Sequence, residues 1–145
     1  MDPMLREALF KQVEMEPFAK KFSLSLVDIK DGYSLVKMTF TPDMENLFGK
    51  AHGGAIFALV DEAFEIASNS DGNIAVALTM SLTYLSSPSP GSTLVAEAKE
   101  ISQDVATSAY EIKVTDDKDR AIVICQAVAY RTMKRHSFLE GRDKR

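Results

Sequence analysis

The spacing of apolar and polar residues predicts two helices and six strands. Over residues 3–15 the apolar positions Leu5, Leu9 and Val13 fall on one stripe, which is typical of a short amphipathic helix that starts at a proline. Residues 55–68 are apolar at ten of fourteen positions, so this second helix is expected to be buried nearly all round. Alternating runs predict strands over residues 22–30, 33–41, 74–86, 92–102, 105–116 and 120–131.

The run over residues 74–86 alternates most regularly. One face is expected to carry Ile74, Val76, Leu78, Met80, Leu82 and Tyr84. The other is expected to carry the smaller side chains Ala75, Ala77, Thr79, Ser81 and Thr83. Runs of roughly 11–13 residues are long for strands, so we expect the sheet to be strongly curved.

The order of elements is helix, two strands, buried helix and four strands. This order predicts an α+β fold in which a curved antiparallel sheet of five to six strands wraps around one long central helix, with a short helix at the N-terminus. Such a sheet leaves its edge and its polar face uncovered. We therefore expect the chain to pair with a second copy of itself.

Length and composition fit one globular domain spanning residues 1–145. The chain is 46% apolar and 26% charged, which argues against disorder. Its longest apolar stretch, residues 55–60, is far shorter than the ~20 residues of a membrane span, and the N-terminus has no signal-peptide pattern. The single cysteine, Cys125, fits a reducing compartment, so the expectation is a cytoplasmic protein without a membrane partner.

Charge is distributed unevenly. Residues 131–145 hold six basic and two acidic residues, whereas the rest of the chain holds 11 basic and 19 acidic ones. An acidic body argues against nucleic acid as a partner, because phosphate recognition needs a basic face. The basic segment, residues 132–145, is expected to be a solvated and poorly ordered tail.

Several kinds of chemistry are excluded by the residue inventory. Two histidines, His52 and His136, with no CxxC or HExxH pattern, offer too few ligands for a His/Cys metal site, so no metal is expected. No GxSxG turn and no glycine-rich phosphate loop is present. Cys125 lies in an apolar strand pattern and is expected to be an inert core thiol.

Two features remain as candidates for a site. The segment from Asn46 to Gly54 leads into the buried helix, whose first backbone N–H groups can bind an anion or a polarised carbonyl oxygen, although a simple loop-to-helix turn explains it equally well. Inside the helix, Asp61, Glu62 and Glu65 form one acidic stripe. This stripe is either a solvated face or a functional group kept in a mostly apolar helix, where burial would raise the pKa of Asp61.

These positions together match a family pattern. It reads Asn46-x5-His52-Gly53-Gly54-x4-Leu59-x-Asp61-x-Ala63, followed by strands ending in Thr83-Tyr84-Leu85. The pattern, which extends over roughly residues 35–131, resembles the hotdog-fold acyl-CoA thioesterases. The branch it resembles is the phenylacetyl-CoA thioesterase (PaaI-like) one, related to the second kind of 4-hydroxybenzoyl-CoA thioesterase. The resemblance implies hydrolysis of an acyl- or aryl-CoA thioester, with coenzyme A as part of the substrate and no separate cofactor.

The resemblance also assigns catalytic roles. The catalytic carboxylate falls on Asp61, as a nucleophile or as a base that activates water, and the carbonyl-polarising backbone N–H falls on Gly53. Asn46 is placed to hydrogen-bond the water or the reacting group. His52 is expected to position or hydrogen-bond rather than to act as a base, because a helix N-terminus disfavours its protonation.

Substrate contacts are expected from further residues. Gly54, Glu65 and one strand hydroxyl, Thr79 or Ser81, match positions near the family's site. The acyl pocket is expected to use Leu47, Phe48, Phe57 and Phe64, for which ordinary core or dimer packing is the alternative. Contacts to the nucleotide of coenzyme A are expected to be spread over the surface, with the basic tail as one candidate.

Geometry requires two copies of the helix. Gly53 and Asp61 are eight residues apart, which is about 12 Å along one helix. Attack requires the nucleophile roughly 3–3.5 Å from the carbon whose oxygen is being polarised. Two antiparallel helices from a homodimer satisfy both conditions, and the family often pairs dimers into tetramers.

Two other functions stay open at this stage. A hotdog hydratase or dehydratase would have to use His52 as its catalytic histidine. A non-catalytic acyl-CoA-binding module would bind CoA esters without releasing a thiol. Asp61 counts against the second, because simple binding gives no reason to place an acid there.

Overall fold

The structure is a computed structural model that describes residues 1–140. The helices are α1 (Pro3–Met15), α2 (Pro17–Lys21) and α3 (Gly53–Ser68), with short 3-10 turns at Pro42–Met44 and Ser137–Leu139. The strands are β1 (Ser25–Lys30), β2 (Tyr33–Thr39), β3 (Asn73–Tyr84), β4 (Thr93–Gln103), β5 (Thr107–Thr115) and β6 (Ala121–Arg135). None of the helices in this part of the chain combines the length and the apolar character needed to cross a membrane.

All six strands form one antiparallel sheet in the order β1-β2-β4-β5-β6-β3. One face of the sheet packs against α3, where Leu59, Val60 and Ala63 are fully buried. Burial of this apolar helix is the main source of core stability, at roughly 25 cal/mol for each Å² removed from water. The predicted α+β plan, with the sheet around one long helix, is confirmed.

A β-bulge interrupts β3. Ala77 pairs with Ala129, but the next pair joins Thr79 to Val128, so Leu78 is an extra residue without a partner in β6. The bulge reverses the alternation of the strand. The prediction that all the larger apolar residues share one face is therefore wrong.

The two halves of β3 turn different residues toward α3. Before the bulge, Ala75 and Ala77 lie on the inner face, and after it Met80 and Leu82 do. Val76 and Leu78 are about half exposed, at 48% and 56%. The strand forms one edge of the sheet, so it presents both apolar side chains and unpaired backbone groups to its surroundings.

The two ends of the chain also depart from the predictions. The short helix α2 precedes β1, which begins at Ser25 and not at residue 22. At the other end, β6 continues to Arg135, and Leu139 is buried against the body of the protein. The expectation of a poorly ordered tail from residue 132 is therefore wrong for residues 132–139, and residues 141–145 lie outside the described part.

Candidate active site

The N-terminal end of α3 is capped by a histidine. The Nδ1 atom of His52 accepts a hydrogen bond from the Gly54 N–H at 2.8 Å. This contact requires an unprotonated Nδ1, so it supports a neutral ring with its proton on Nε2. His52 thus caps the helix, and the Gly54 N–H already has an acceptor.

The Gly53 N–H has no such acceptor within residues 1–140. It stands at the first position of the helix, where the dipole favours a partly negative partner. The carbonyl of the same residue accepts a hydrogen bond from the Tyr84 hydroxyl at 3.0 Å, which fixes the end of β3 to the start of α3. A Cβ at this position would lie 3.3 Å from the Tyr84 ring, so the absence of a side chain permits this close approach.

Asp61 lies in a cleft of about 420 Å³ between α3, the α1–α2 corner and β3. The cleft is lined by Glu16, Phe18, Asp61, Phe64, Glu65, Ser68, Ala75, Val76 and Ala77. The small side chains Ala75 and Ala77 leave this space open on the sheet side. Because of the bulge at Leu78, Ala75 and Ala77 before it and the larger Met80 and Leu82 after it all face α3.

Burial raises the pKa of Asp61, and the nearby negative charge of Glu16 raises it further. The expected direction of this shift is confirmed. A carboxylate that holds its proton more strongly is a better acceptor of a proton from water. Burial also raises the pKa of the Cys125 thiol to about 11, so this residue is the inert core thiol that the sequence predicts.

The acidic stripe is solvated only in part. Glu62 is only 2% exposed, and desolvation together with the neighbouring Glu16 carboxyl raises its pKa. The pKa of Glu65 is raised for the same two reasons, although this side chain reaches the surface. Glu65 lines the same cleft as Asp61, as does Phe64, which packs edge-on against Tyr110.

Other predicted site residues lie elsewhere in this chain. The Asn46 Oδ1 atom accepts hydrogen bonds from the N–H groups of Phe48 and Lys50, so the residue shapes its own loop. At the tip of that loop, Leu47 and Phe48 are 99% and 82% exposed. Neither they nor Phe57 line the Asp61 cleft of this chain, and their part in an acyl pocket stays a prediction.

The two strand hydroxyls, Thr79 and Ser81, lie on the outer face of the sheet. They pair with Val128 and Gln126, whereas the intervening Met80 pairs with the buried Ala127. Neither hydroxyl lines the Asp61 cleft of its own chain.

Glu16 and Phe18 are among the cleft residues that sequence reasoning missed. Both belong to the corner between α1 and α2, and α2 is too short to give a helical pattern. Pro17 was the available signal, because a proline so soon after a predicted helix favours a turn at that place.

Gly53 and Asp61 do not meet within one chain. Gly53 opens on a second cavity, of about 320 Å³, beside Ile56, Tyr84 and Leu85. This cavity and the Asp61 cleft have no lining residue in common. The arrangement therefore supplies a polarising donor and a carboxylate at two separate places along one rigid helix.

Comparison with known proteins identifies the architecture. The family model of the Thioesterase superfamily matches residues 48–123. A "Putative esterase" of Archaeoglobus fulgidus is 37% identical over 106 residues, which cover 73% of this chain and 69% of that protein. The acyl-coenzyme A thioesterase PaaI of Escherichia coli is 30% identical over 118 residues, covering 81% of this chain and 84% of that one.

Solved structures agree with the sequence matches. The structure of the E. coli PaaI protein superposes with a TM-score of 0.85 at 27% identity, over 90% of this chain and 98% of that one. The smu.793 protein of Streptococcus mutans, bound to acetyl CoA, gives a TM-score of 0.74 at 28% identity, over 78% and 91% of the two chains. The chain thus belongs to the thioesterase superfamily, with the hotdog fold and a PaaI-like architecture.

Proposed function

We propose that this thioesterase hydrolyses the thioester of an acyl- or aryl-coenzyme A, using Asp61 and the Gly53 backbone N–H. The observation that carries the proposal is the open N–H of Gly53 at the start of α3, with a half-buried carboxylate eight residues further along the same helix. A relative named acyl-coenzyme A thioesterase and a structural neighbour bound to acetyl CoA support the substrate class.

The site is completed by a second copy of the chain. The ~12 Å between Gly53 and Asp61 along one helix exceeds the roughly 3–3.5 Å of a reacting pair, so each catalytic pair combines groups from two antiparallel helices. Two features support such pairing: the exposed edge strand β3 and the exposed apolar loop tip at Leu47 and Phe48. A two-fold axis then gives two equal sites.

The reaction follows from the charges of the two groups. The substrate carbonyl oxygen accepts a hydrogen bond from the Gly53 N–H, which stabilises the negative charge that develops on it. Asp61 either takes a proton from the attacking water or attacks the carbonyl carbon itself. In the first route the water adds to the carbonyl carbon, the C–S bond breaks, and coenzyme A leaves as the thiolate together with the free acid. In the second route the C–S bond breaks to leave an acyl anhydride on Asp61, and water then hydrolyses this anhydride to the free acid and restores the carboxylate.

His52 positions the donor in this mechanism. By accepting the Gly54 N–H, it holds the first turn of α3 and leaves the Gly53 N–H free. Its Nδ1 atom is engaged in the cap, which counts against the hydratase alternative in which His52 would act as the base. Asn46 keeps its expected role toward water or substrate through its amide nitrogen, because its Oδ1 serves the loop.

The test is release of free thiol from a panel of acyl- and aryl-CoA esters. Asp61→Asn removes the base or nucleophile while keeping the size of the side chain, and we expect turnover to fall by about 10²–10⁴-fold. Asp117→Asn, the same change at an exposed turn, serves as the matched control and should leave turnover intact.

Three outcomes contradict the proposal. Unchanged turnover in a folded Asp61→Asn variant refutes the role of Asp61. Binding of CoA esters without any thiol release indicates a binding module instead. Full activity of a chain shown by light scattering to be monomeric at the assay concentration refutes the shared site.

A further inference from the structure

Three carboxyl groups converge where the α1–α2 corner packs on α3. Glu16 lies at the corner, and Glu62 and Glu65 lie one turn apart on α3. One carboxylate oxygen from each residue lies within 4.8 Å of the other two. Since the corner and the helix are distant in sequence, tertiary packing is what brings these acids together.

Glu62 is the unusual member of this carboxyl cluster. It is only 2% exposed, and its Oε1 atom has no hydrogen-bond partner in residues 1–140. An isolated buried polar atom is costly, and a native protein usually supplies it with a hydrogen bond or an ion. No lysine, arginine or histidine of the described residues pairs with Glu16, Glu62 or Glu65.

Solvent reaches the carboxyl cluster from two sides. Glu16 and Glu65 line the Asp61 cleft, and both also line a groove of about 410 Å³ between α1 and α3. The groove is otherwise largely apolar, with Leu9, Ile66 and Phe138 among its walls. Apolar walls lower the local dielectric and strengthen the attraction between a cation and the three acids.

We propose that Glu16, Glu62 and Glu65 bind one divalent metal ion of the oxygen-preferring class, such as Ca²⁺ or Mg²⁺. Carboxylate oxygens are the ligands that these hard cations select. Two oxygens on opposite sides of a Ca²⁺ ion are roughly 4.6–5.2 Å apart, at ~2.3–2.6 Å per bond, and the cluster fits within this span. Such an ion would neutralise the buried Glu62 carboxyl, whose Oε1 atom has no hydrogen-bond partner among residues 1–140.

The proposed metal site shares Glu16 and Glu65 with the lining of the Asp61 cleft, but neither Asp61 nor Gly53 is among its ligands. The competing way to neutralise three acids is to share protons between them. Burial and mutual repulsion already raise the pKa values of Glu62 and Glu65, so protons and a cation compete for the same oxygens.

The test is calorimetric titration of the chelator-treated full chain with Ca²⁺, Mg²⁺ and Mn²⁺ in turn. We expect one cation per chain and a thermal midpoint that rises with its concentration. Glu62→Gln keeps the shape of the buried side chain but removes its charge, and should weaken binding by at least about tenfold. Glu14→Gln, an exposed acid on α1, is the matched control and should bind as the unaltered chain does.

The proposal is overturned by any of three results. One is no saturable binding of the three cations up to about 10 mM, well above the dissociation constants of ordinary weak Ca²⁺ sites. Another is undiminished cation binding in both Glu62→Gln and Glu16→Gln. If Glu62→Gln does not fold, undiminished binding in Glu16→Gln alone is enough to overturn the proposal. The third is stabilisation by acid with no effect of any cation, which assigns the cluster to proton sharing.

Discussion

At the N-terminal end of α3 His52 caps the backbone and Tyr84 binds the Gly53 carbonyl, whereas the C-terminal end is held by Asn69 and, through it, by His136. At the first end a side chain caps Gly54, and the Gly53 N–H has no acceptor among residues 1–140. At the second end the groups are tied into a network that includes a hydrogen bond between the His136 Nε2 and Asn69 Oδ1 atoms at 2.8 Å. One helix therefore has an open end and a closed end.

Several backbone groups at the closed end have side-chain hydrogen-bond partners. The buried Asn69 side chain donates to the carbonyl oxygens of Glu65 and Ala75 and accepts from the Ala75 N–H. Helix ends usually satisfy their free groups in such ways. The contrast indicates that an end left open, beside two glycines, is reserved for something outside the chain, which is the role we propose for Gly53.

Removing the open donor should have the largest effect. Gly53→Pro eliminates the N–H at the first helical position, where proline fits, and the extended backbone of His52 (φ −68°, ψ 129°) tolerates a following proline. We expect thiol release to fall by about 10²–10³-fold with the fold intact. Gly53→Ala, which makes the same approach to Tyr84 but keeps the N–H, is the control. Equal losses in both variants would mean that sterics and not the donor matter.

Removing the Asn69 side chain at the closed end should lower the free energy of unfolding without a direct effect on catalysis. Asn69→Ala leaves the Ala75 N–H and two carbonyl oxygens without their buried partner, and we expect a loss of about 2–3 kcal/mol in the free energy of unfolding. Asn69→Asp keeps the acceptor but not the donors, so its free energy of unfolding should lie between those of the unaltered protein and Asn69→Ala. Urea unfolding measures the difference, and a loss below roughly 0.5 kcal/mol would show that the network is not needed.

Removing the His52 cap at the open end should lower the free energy of unfolding by less than Asn69→Ala does. His52→Ala deletes the single side-chain hydrogen bond to Gly54, and N-cap losses are about 0.5–2 kcal/mol. His52→Asn restores a capping oxygen and should recover most of the loss in urea unfolding. A His52→Asn variant that is stable yet inactive would reveal a chemical role for the imidazole beyond capping.

The smallest expected effect is a pH dependence at the closed end. Burial lowers the pKa of His136 below its ordinary value of 6.5. The unfolded chain therefore binds the proton more readily than the folded chain does. The stability that the neutral ring contributes above pH 6.5 is lost as the pH falls through the lowered pKa of the folded state. The difference in unfolding free energy between the protein and His136→Gln should shrink from about pH 7.5 to about pH 5. A constant difference would contradict this assignment.

Local patterns predicted α1 and the strands well, because periodicity depends on neighbouring residues. The start of α3 lay two residues earlier than predicted, since histidine is not among the common capping residues that mark a helix start. The reversal at Leu78 depends on pairing with β6, which a single strand's pattern does not contain.

The candidate site was predicted only in part, because its motif is local in sequence whereas some of its contacts depend on tertiary packing. The motif places Gly53 and Asp61 on one helix, and the structure agrees. The burial of Glu62 depends on packing against Glu16, and the sequence offers no local sign of that contact. His/Cys metal motifs are local in sequence, whereas this cluster of carboxylates is assembled by tertiary packing and leaves no sequence pattern.

The extra residue in β3 has a further consequence for how the chain can vary in length. In a strand without a bulge, the loss of one residue would turn the remainder of the strand over, so that side chains such as Met80 and Leu82 would change face. Deleting Leu78 itself would leave each remaining side chain on its present face, because it restores an unbroken two-residue rhythm. The contribution of this residue is therefore a bend and a local twist of the edge strand. Its loss would affect the association of two chains before it affected the packing within one chain.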